Sequence, residues 1–258
     1  MTTTGDSRGI LFPGQLPAFE RVDAPEDIRD RVEWFWIPRW ELTDGATSTQ
    51  TVLPFPASHL VVEHGHVNLY GPTTGISVRV LSGHDWAFGM RLRPAGLAAL
   101  TSEPAEFLDT YLSFAAPGLL SLVTTPMRAG ENTAAVRAAA DWVRREIAGA
   151  DDTGRTANAM VDLIAADRSI TSVGELAERM RMSVRSVQRL SARYIGLSPL
   201  AVIRRYRLQE AAVQLRARES VAMGDLAAQL GYADQSHMCA DFRGVLGITP
   251  GEYRRVKG

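Results

Sequence analysis

Residues 174–199 read GELAERMRMSVRSVQRLSARYIGLSP, and residues 224–250 read GDLAAQLGYADQSHMCADFRGVLGITP. The two stretches are one pattern written twice. Gly174-Glu175-Leu176-Ala177 opens the first copy and Gly224-Asp225-Leu226-Ala227 the second. Gly196-Leu197-Ser198-Pro199 closes the first, and Gly247-Ile248-Thr249-Pro250 closes the second. In each copy a short amphipathic run meets a tight break, a polar residue restarts a second run, and a Gly stops it. That order predicts a helix, a turn and a second helix, twice over.

The first copy can be read residue by residue. Ser172 is placed to cap a helix carrying Val173, Leu176, Ala177 and Met180 on one face. Arg181-Met182-Ser183 is the break, and Ser183 caps a helix from Val184 to about Ile195. Val187 and Leu190 share the inward face of that helix. Arg185, Gln188, Arg189 and Arg193 are left for the outer face, and Arg and Gln are the side chains that bond guanine or adenine edges bidentately. The second copy runs from Asp225 to Leu230, stops at Gly231 and restarts at Asp234. Met238 and Phe242 face inward there, which leaves Gln235, Ser236, Cys239 and Arg243 outside. Between the copies Ser198 caps a helix with Pro199 at its first position, where a missing N–H costs nothing. That helix is expected to run to about Arg218. At roughly 20 residues it spans about 30 Å, close to the ~34 Å of one turn of B-DNA.

Charge supports the same reading. Residues 153–258 carry 16 Arg and Lys against 10 Asp and Glu, whereas residues 1–152 carry 12 against 19. The overall charge of −1 hides a basic half suited to a phosphate backbone and an acidic half that it would repel.

Residues of about 156–256, some 40% of the chain, resemble the AraC-type DNA-binding domain. The resemblance is carried by Ser183-x-x-x-Val187-x-Arg189-Leu190, Arg205-Tyr206-Arg207-Leu208-x-x-Ala211 and Leu226-Ala227-x-x-Leu230-Gly231-Tyr232. Asp234-Gln235-Ser236-His237, Asp241-Phe242-Arg243, Tyr253-Arg254 and the two closing motifs complete it. It implies base-reading positions at Arg185, Gln188 and Arg189 in the first unit, and at Gln235, Ser236, Cys239 and Ala240 in the second. The chain departs from the family pattern twice. Ala240 stands where an Arg is common, and Ser191 where an aromatic is common, as Phe242 is in the other copy. The resemblance implies a double-stranded DNA operator as partner, and contact with RNA polymerase if the protein is an activator.

The amino-terminal half reads differently. Residues 1–25 look like an irregular lead-in. From about 30 to 94 the apolar residues alternate, as in Val32-Glu33-Trp34-Phe35-Trp36 and in Trp86, Phe88, Met90 and Leu92, with Gly65, Gly71-Pro72, Gly75 and Gly83 as turns. Many short strands with frequent turns predict a small barrel or sandwich. From about 95 to 148 the period becomes helical, with Val136, Ala139, Ala140, Val143 and Ile147 on one face. The fold expected is therefore α+β in two domains: residues 1–150 a β-barrel followed by helices, 151–155 a small polar linker, and 156–258 all-α.

A fainter resemblance covers residues of about 30–100, to the cupin-like domain found on one group of AraC-type regulators. It rests on Gln50-Thr51-Val52-Leu53-Pro54, His59-Leu60-Val61-Val62-Glu63, Leu81-Ser82-Gly83 and Phe88-Gly89-Met90-Arg91-Leu92-Arg93-Pro94-Ala95-Gly96. It implies a sensing or dimerising module, which leaves a small-molecule effector and a homodimer as expected partners. Trp34, Trp36, Trp86 and Phe88 are the candidates to line a ligand pocket. Arg91 and Arg93 could hold an anion, although alternation turns both away from Trp86 and Phe88.

Other classes of function are disfavoured. No Ser/His/Asp, Cys/His or phosphate-loop arrangement stands out, so the protein is read as a non-enzyme. His64-Gly65-His66 has the first part of a cupin metal motif, but Val67 to Gly75 contains no carboxylate, so neither metal nor cofactor is expected. A metal-dependent cupin enzyme on a DNA tether loses its ground with that missing ligand. A DNA-alkylation response protein would need several cysteines, and the chain has Cys239 alone. The start MTTTGDSRG lacks an apolar signal core, and no apolar run reaches the roughly 18 residues of a membrane span, so no membrane partner and a cytoplasmic location are expected.

Overall fold

The computed structural model describes residues 18–256, apart from residue 54 and residues 218–220. The expected lead-in before residue 18, Pro54 and the expected end of the long helix at Arg218 lie outside the described residues.

Eight strands build the amino-terminal half: β1 (Ala18–Asp23), β2 (Val32–Glu41), β3 (Thr47–Val52), β4 (His59–Glu63), β5 (His66–Tyr70), β6 (Ser77–Ser82), β7 (His84–Leu92) and β8 (Tyr111–Ser113). Six form an antiparallel sheet in the order β1-β2-β7-β4-β5-β8, and β3 pairs with β6 as a separate ribbon. The expected barrel is corrected on this point. The large sheet ends at β1 and β8, and no pairing closes it among the described residues. Part of the expected lead-in, residues 18–23, is strand β1, in register with β2.

Local chemistry explains this sheet. His64 and Gly65 join β4 to β5 with φ of 48° and 80°. Two positive φ values in a two-residue loop are the type I′ turn that suits the twist of a hairpin. In the centre, Trp36 lies opposite Gly89. A Cβ on Gly89 would fall 1.9 Å from the indole, so only glycine lets that ring lie flat on the strand. The indole N–H of Trp36 donates to Nδ1 of His59 at 3.0 Å.

Three helices follow: α1 (Pro94–Leu100), α2 (Leu119–Arg128) and α3 (Asn132–Glu146). α2 and α3 cover the sheet, and Val123, Met127, Ala139, Trp142 and Val143 pack with Phe35, Leu60, Val62, Phe88 and Met90 in one core. α2 falls within the span expected to be helical; Gly118 sits before it at φ 75°, and Pro126 is tolerated near its end.

The remaining elements are helical: α4 (Asp152–Ala166), α5 (Val173–Arg179), α6 (Val184–Tyr194), α7 (Pro199–Ala217), α8 (Met223–Gln229), α9 (Gln235–Leu246) and α10 (Pro250–Val256). The stretch 151–155, expected as a linker, is the capped start of α4. The Asp151 carboxylate accepts from the backbone N–H of Gly154 at 2.6 Å. The same glycine lets α4 come close to Ala95 of α1. The buried Asn158 of α4 accepts from Ala95 N at 3.0 Å and donates to Asp30 O at 2.7 Å.

The two halves therefore share a well-bonded seam rather than a tether. Arg91 of β7 is 2% exposed. Its guanidinium lies 4.2 and 4.3 Å from the ring centres of Trp34 and Phe55, pairs with Glu33, and donates to the Tyr206 hydroxyl of α7 at 3.1 Å. Arg93 pairs with Asp162 of α4 at 2.6 Å. Both arginines thus have partners within the protein, which removes the anion site that alternation already disfavoured.

His59 sits under this seam. Burial, together with Arg91 and Arg21, lowers its pKa from 6.5 to about 3. The folded state therefore refuses a proton that the unfolded chain accepts between pH 6.5 and about 3, so this residue's contribution to stability falls as pH falls through that window. From pH 6.5 to 5 the loss should be about 1–2 kcal/mol. Chemical unfolding of His59→Gln, compared with the parent at both pH values, should show a smaller loss. An equal loss in both proteins would refute the assignment.

Candidate nucleic-acid interface

Each helical pair after α4 turns through a left-handed residue, Arg181 in the first and Gly231 in the second, and its second helix starts at a side-chain cap. Ser172 and Glu175 form a capping box at α5: the Ser hydroxyl accepts from Glu175 N at 3.2 Å, and the Glu carboxylate accepts from Ser172 N at 2.9 Å. Bonds from the Thr171 backbone N–H and hydroxyl, and then from Ser172 N, hold the Glu175 carboxyl below its ordinary pKa. Ser183 caps α6 through Ser186 N at 3.1 Å, and Asp234 caps α9 through His237 N at 2.7 Å. Both cap side chains are exposed, and each starts its helix on the solvent side.

The cores behind these helices fix which faces remain outside. Leu176, Ala177, Val187 and Leu190 pack with Val202, Ile203 and Tyr206 from the first part of α7. Leu226, Ala227, Leu230, Met238 and Phe242 pack with Leu208, Ala211, Ala212 and Leu215 from its second part. One 19-residue helix thus serves two cores. Ser198 caps it, accepting from Ala201 N at 3.2 Å.

With Val187, Leu190 and Tyr194 turned inward, Arg185, Gln188, Arg189 and Arg193 are all exposed on α6. None of the three arginines makes an ion pair among the described residues. α6 contains no carboxylate, and its arginines recur at intervals of four. Like charges so spaced cost an isolated helix about 0.2–0.5 kcal/mol per pair, a cost that an approaching polyanion reverses. Other arginines of this half are engaged: Arg155 with Asp152, Arg168 with Glu210, and Arg179 with Asp167.

α9 presents a poorer surface. Gln235, Ser236, Ala240 and Arg243 are exposed, and Cys239 is half-buried. His237 is held edge-on against Tyr232, with ring centres 5.3 Å apart.

Two arginines of α7 are held by partners within the protein. Arg205 is 6% exposed and donates to the carbonyls of Thr73 at 3.0 Å and Ala201 at 3.1 Å. Arg207 donates to Leu230 O at 2.7 Å and lies 3.7 Å over the Tyr232 ring. Nothing in the local spacing separates them from Arg204, which stays half-exposed. The departure at Ser191 also resolves. Where the second unit buries Phe242, Ser191 is fully buried and its hydroxyl donates to Leu197 O at 2.7 Å, which ties the end of α6 to the start of α7.

The four aromatic candidates of the other half do not meet around one cavity. Phe88 is fully buried in the sheet core, Trp34 flanks Arg91, and Trp36 lies on His59. Trp86 borders an open cleft of about 860 Å³, with Trp40, Leu81, Met127, Arg39 and Arg128 among its walls. Among the described residues no group of three or more His, Cys, Asp or Glu side chains is placed to hold a metal ion. No helix among them is long and apolar enough to cross a membrane.

Comparison with known proteins agrees with this geometry. Residues 176–256 match the family model of a helix-turn-helix domain, and residues 20–113 match a domain of unknown function, DUF6597. An RCS-specific HTH-type transcriptional activator of Escherichia coli, RclR, is 40% identical over 83 residues, 32% of this chain and 29% of that protein. An AraC-like transcription regulator of Streptomyces lividans is 36% identical over 87 residues, 33% of this chain and 27% of its own length. The matches span less than a third of these two relatives. Among solved structures, ToxT from Vibrio cholerae aligns over 93% of this chain and 100% of its own at 11% identity, with a TM-score of 0.45. Residues 176–256 are thus a helix-turn-helix domain of the AraC type.

Replacing Ser191 by Ala would leave the Leu197 carbonyl without its buried donor. Thermal or chemical unfolding should show a loss of about 1–3 kcal/mol. An unchanged stability would mean that the bond does no structural service.

Proposed function

We propose that this chain, with its AraC-type carboxy-terminal domain, is a sequence-specific DNA-binding transcription regulator that reads two successive major grooves. The observation that carries the reading is the exposed, unpaired row of Arg185, Arg189 and Arg193 with Gln188 on a helix that follows a turn. α6 and α9 act as recognition helices, and α7, about 28 Å long, sets their separation near one DNA turn of ~34 Å. Arg185, Gln188 and Arg189 bond base edges, while Ser183, Asp234, Arg193 and Arg243 sit where helix starts and outer faces meet phosphates. Gln235, Ser236 and Cys239 form the second reading face.

The first unit dominates specificity in this proposal, because α9 offers Gln235 and Arg243 as its long hydrogen-bonding side chains among the exposed positions. The amino-terminal half sets activity through an effector or a homodimer. The cleft beside Trp86 supports a small-molecule site. RNA polymerase becomes a partner if the protein activates. The protein works in the cytoplasm, where its DNA lies, and it performs no catalysis.

Fluorescence anisotropy against the DNA upstream of its own gene, with excess random competitor, tests the reading. Binding should exceed that to random sequence by about a thousandfold or more at physiological salt. Equal loss to any competitor, with every upstream segment behaving alike, would overturn it. Within the same assay Arg185→Ala should cost about 1–3 kcal/mol on the preferred sequence and relax the preference. Arg189→Ala should cost more than Gln235→Ala, and equal costs would refute the dominance of the first unit.

A further inference from the structure

Three non-glycine residues among those described hold a positive φ: His64 at 48°, Asp109 at 58° and Arg181 at 54°. L-residues enter this region against a steric cost, so each should have a reason. Two reasons are visible. His64 opens a type I′ turn, and its Nδ1 lies 3.1 Å from the Asp85 carboxylate. The Asp109 carboxylate accepts from the N–H and hydroxyl of Thr74 at 2.5 and 2.6 Å. Arg181 has no such return. Its side chain is exposed and makes no hydrogen bond or ion pair among the described residues.

The second unit shows what this position asks for. After α5, Arg181 N donates to Glu178 O at 3.0 Å and Met182 N to Ala177 O at 2.9 Å. After α8, Gly231 N donates to Ala228 O at 3.0 Å and Tyr232 N to Ala227 O at 2.9 Å. The two helix ends have the same geometry, and in the second the left-handed residue is glycine, the usual choice there. In the first, an arginine holds the place of a glycine and packs against nothing that would require it.

Its location suggests the use. Arg181 lies two residues before Ser183, the cap of α6, and the unpaired arginines of α6 follow it in sequence at intervals of four. The helix that it precedes is capped and 11 residues long, and its positive end favours an anion. A duplex whose groove receives α6 brings a phosphate to that edge.

We propose that Arg181 is a DNA-phosphate contact at the rim of the groove read by α6, and that its strained backbone is retained for that contact. This rests on the DNA-binding reading above. The test uses the full chain, Arg181→Gly and Arg181→Lys, on a duplex that the parent selects from a random pool and on a random duplex of equal length. Anisotropy is read across a salt series, with melting in parallel. Arg181→Gly should weaken both duplexes by a similar factor, about three- to tenfold, and flatten the log–log salt slope by about 0.9. It should also melt about 2–4 °C higher as the strain is relieved. Arg181→Lys should stay within about twofold of the parent with its slope intact, since a lysine keeps the charge. Parent-like binding and slope in Arg181→Gly would overturn the contact, as would a loss confined to the selected duplex. An unchanged or lower melting temperature would overturn the strain. If the parent binds neither duplex, the DNA-binding reading itself falls, and this inference falls with it.

Discussion

The structure depends on one helix being shared by two cores. α7 buries Val202, Ile203 and Tyr206 in the first unit and Leu208, Ala211, Ala212 and Leu215 in the second. A helix with partners along its whole length is apolar on several sides rather than along one stripe. Its rigidity converts two short helical pairs, each too small to hold a stable core alone, into a body with fixed spacing. What a DNA duplex would meet is therefore set by the length of α7 and by the caps that start α6 and α9.

The same helix is also where the amino-terminal half takes hold. Tyr206 accepts from Arg91, and Arg205 donates to Thr73 O. Ile76 N donates to Val245 O at the end of α9, and Leu53 lies in the second unit's core. The first unit is approached closely as well: a Cβ on Gly196 would fall 2.7 Å from the Pro104 carbonyl. A buried guanidinium between two aromatic rings is costly to uncover, since removing its partners leaves a charge without solvent. The amino-terminal half thus has a direct mechanical hold on both units.

The repeat was legible because helix punctuation is local. Ser172, Ser183, Ser198 and Asp234 cap where their side-chain chemistry says they should. The strands around Trp34, Val61 and Phe88 were legible from alternation. Barrel closure was not, because pairing between distant strands leaves no local trace, and β1 and β8 end up at opposite edges. The engagement of two arginines of α7 was hidden for a related reason. Arg205 and Arg207 differ from Arg185 and Arg189 only in what the tertiary fold places beside them. Ser191 looked like a defect in sequence, yet one hydrogen bond to Leu197 O closes its site. The linker was misread because Asp151 and Gly154 suit a flexible segment and a helix start equally well.

The central claim is that a single chain spans two successive major grooves. Hydroxyl-radical footprinting on a bound duplex, at a measured stoichiometry of one chain per duplex, tests it most directly. The account predicts two protected segments on one face of the DNA, with centres about 10–10.5 base pairs apart. One protected segment, or two that form only when a second chain binds, would contradict it.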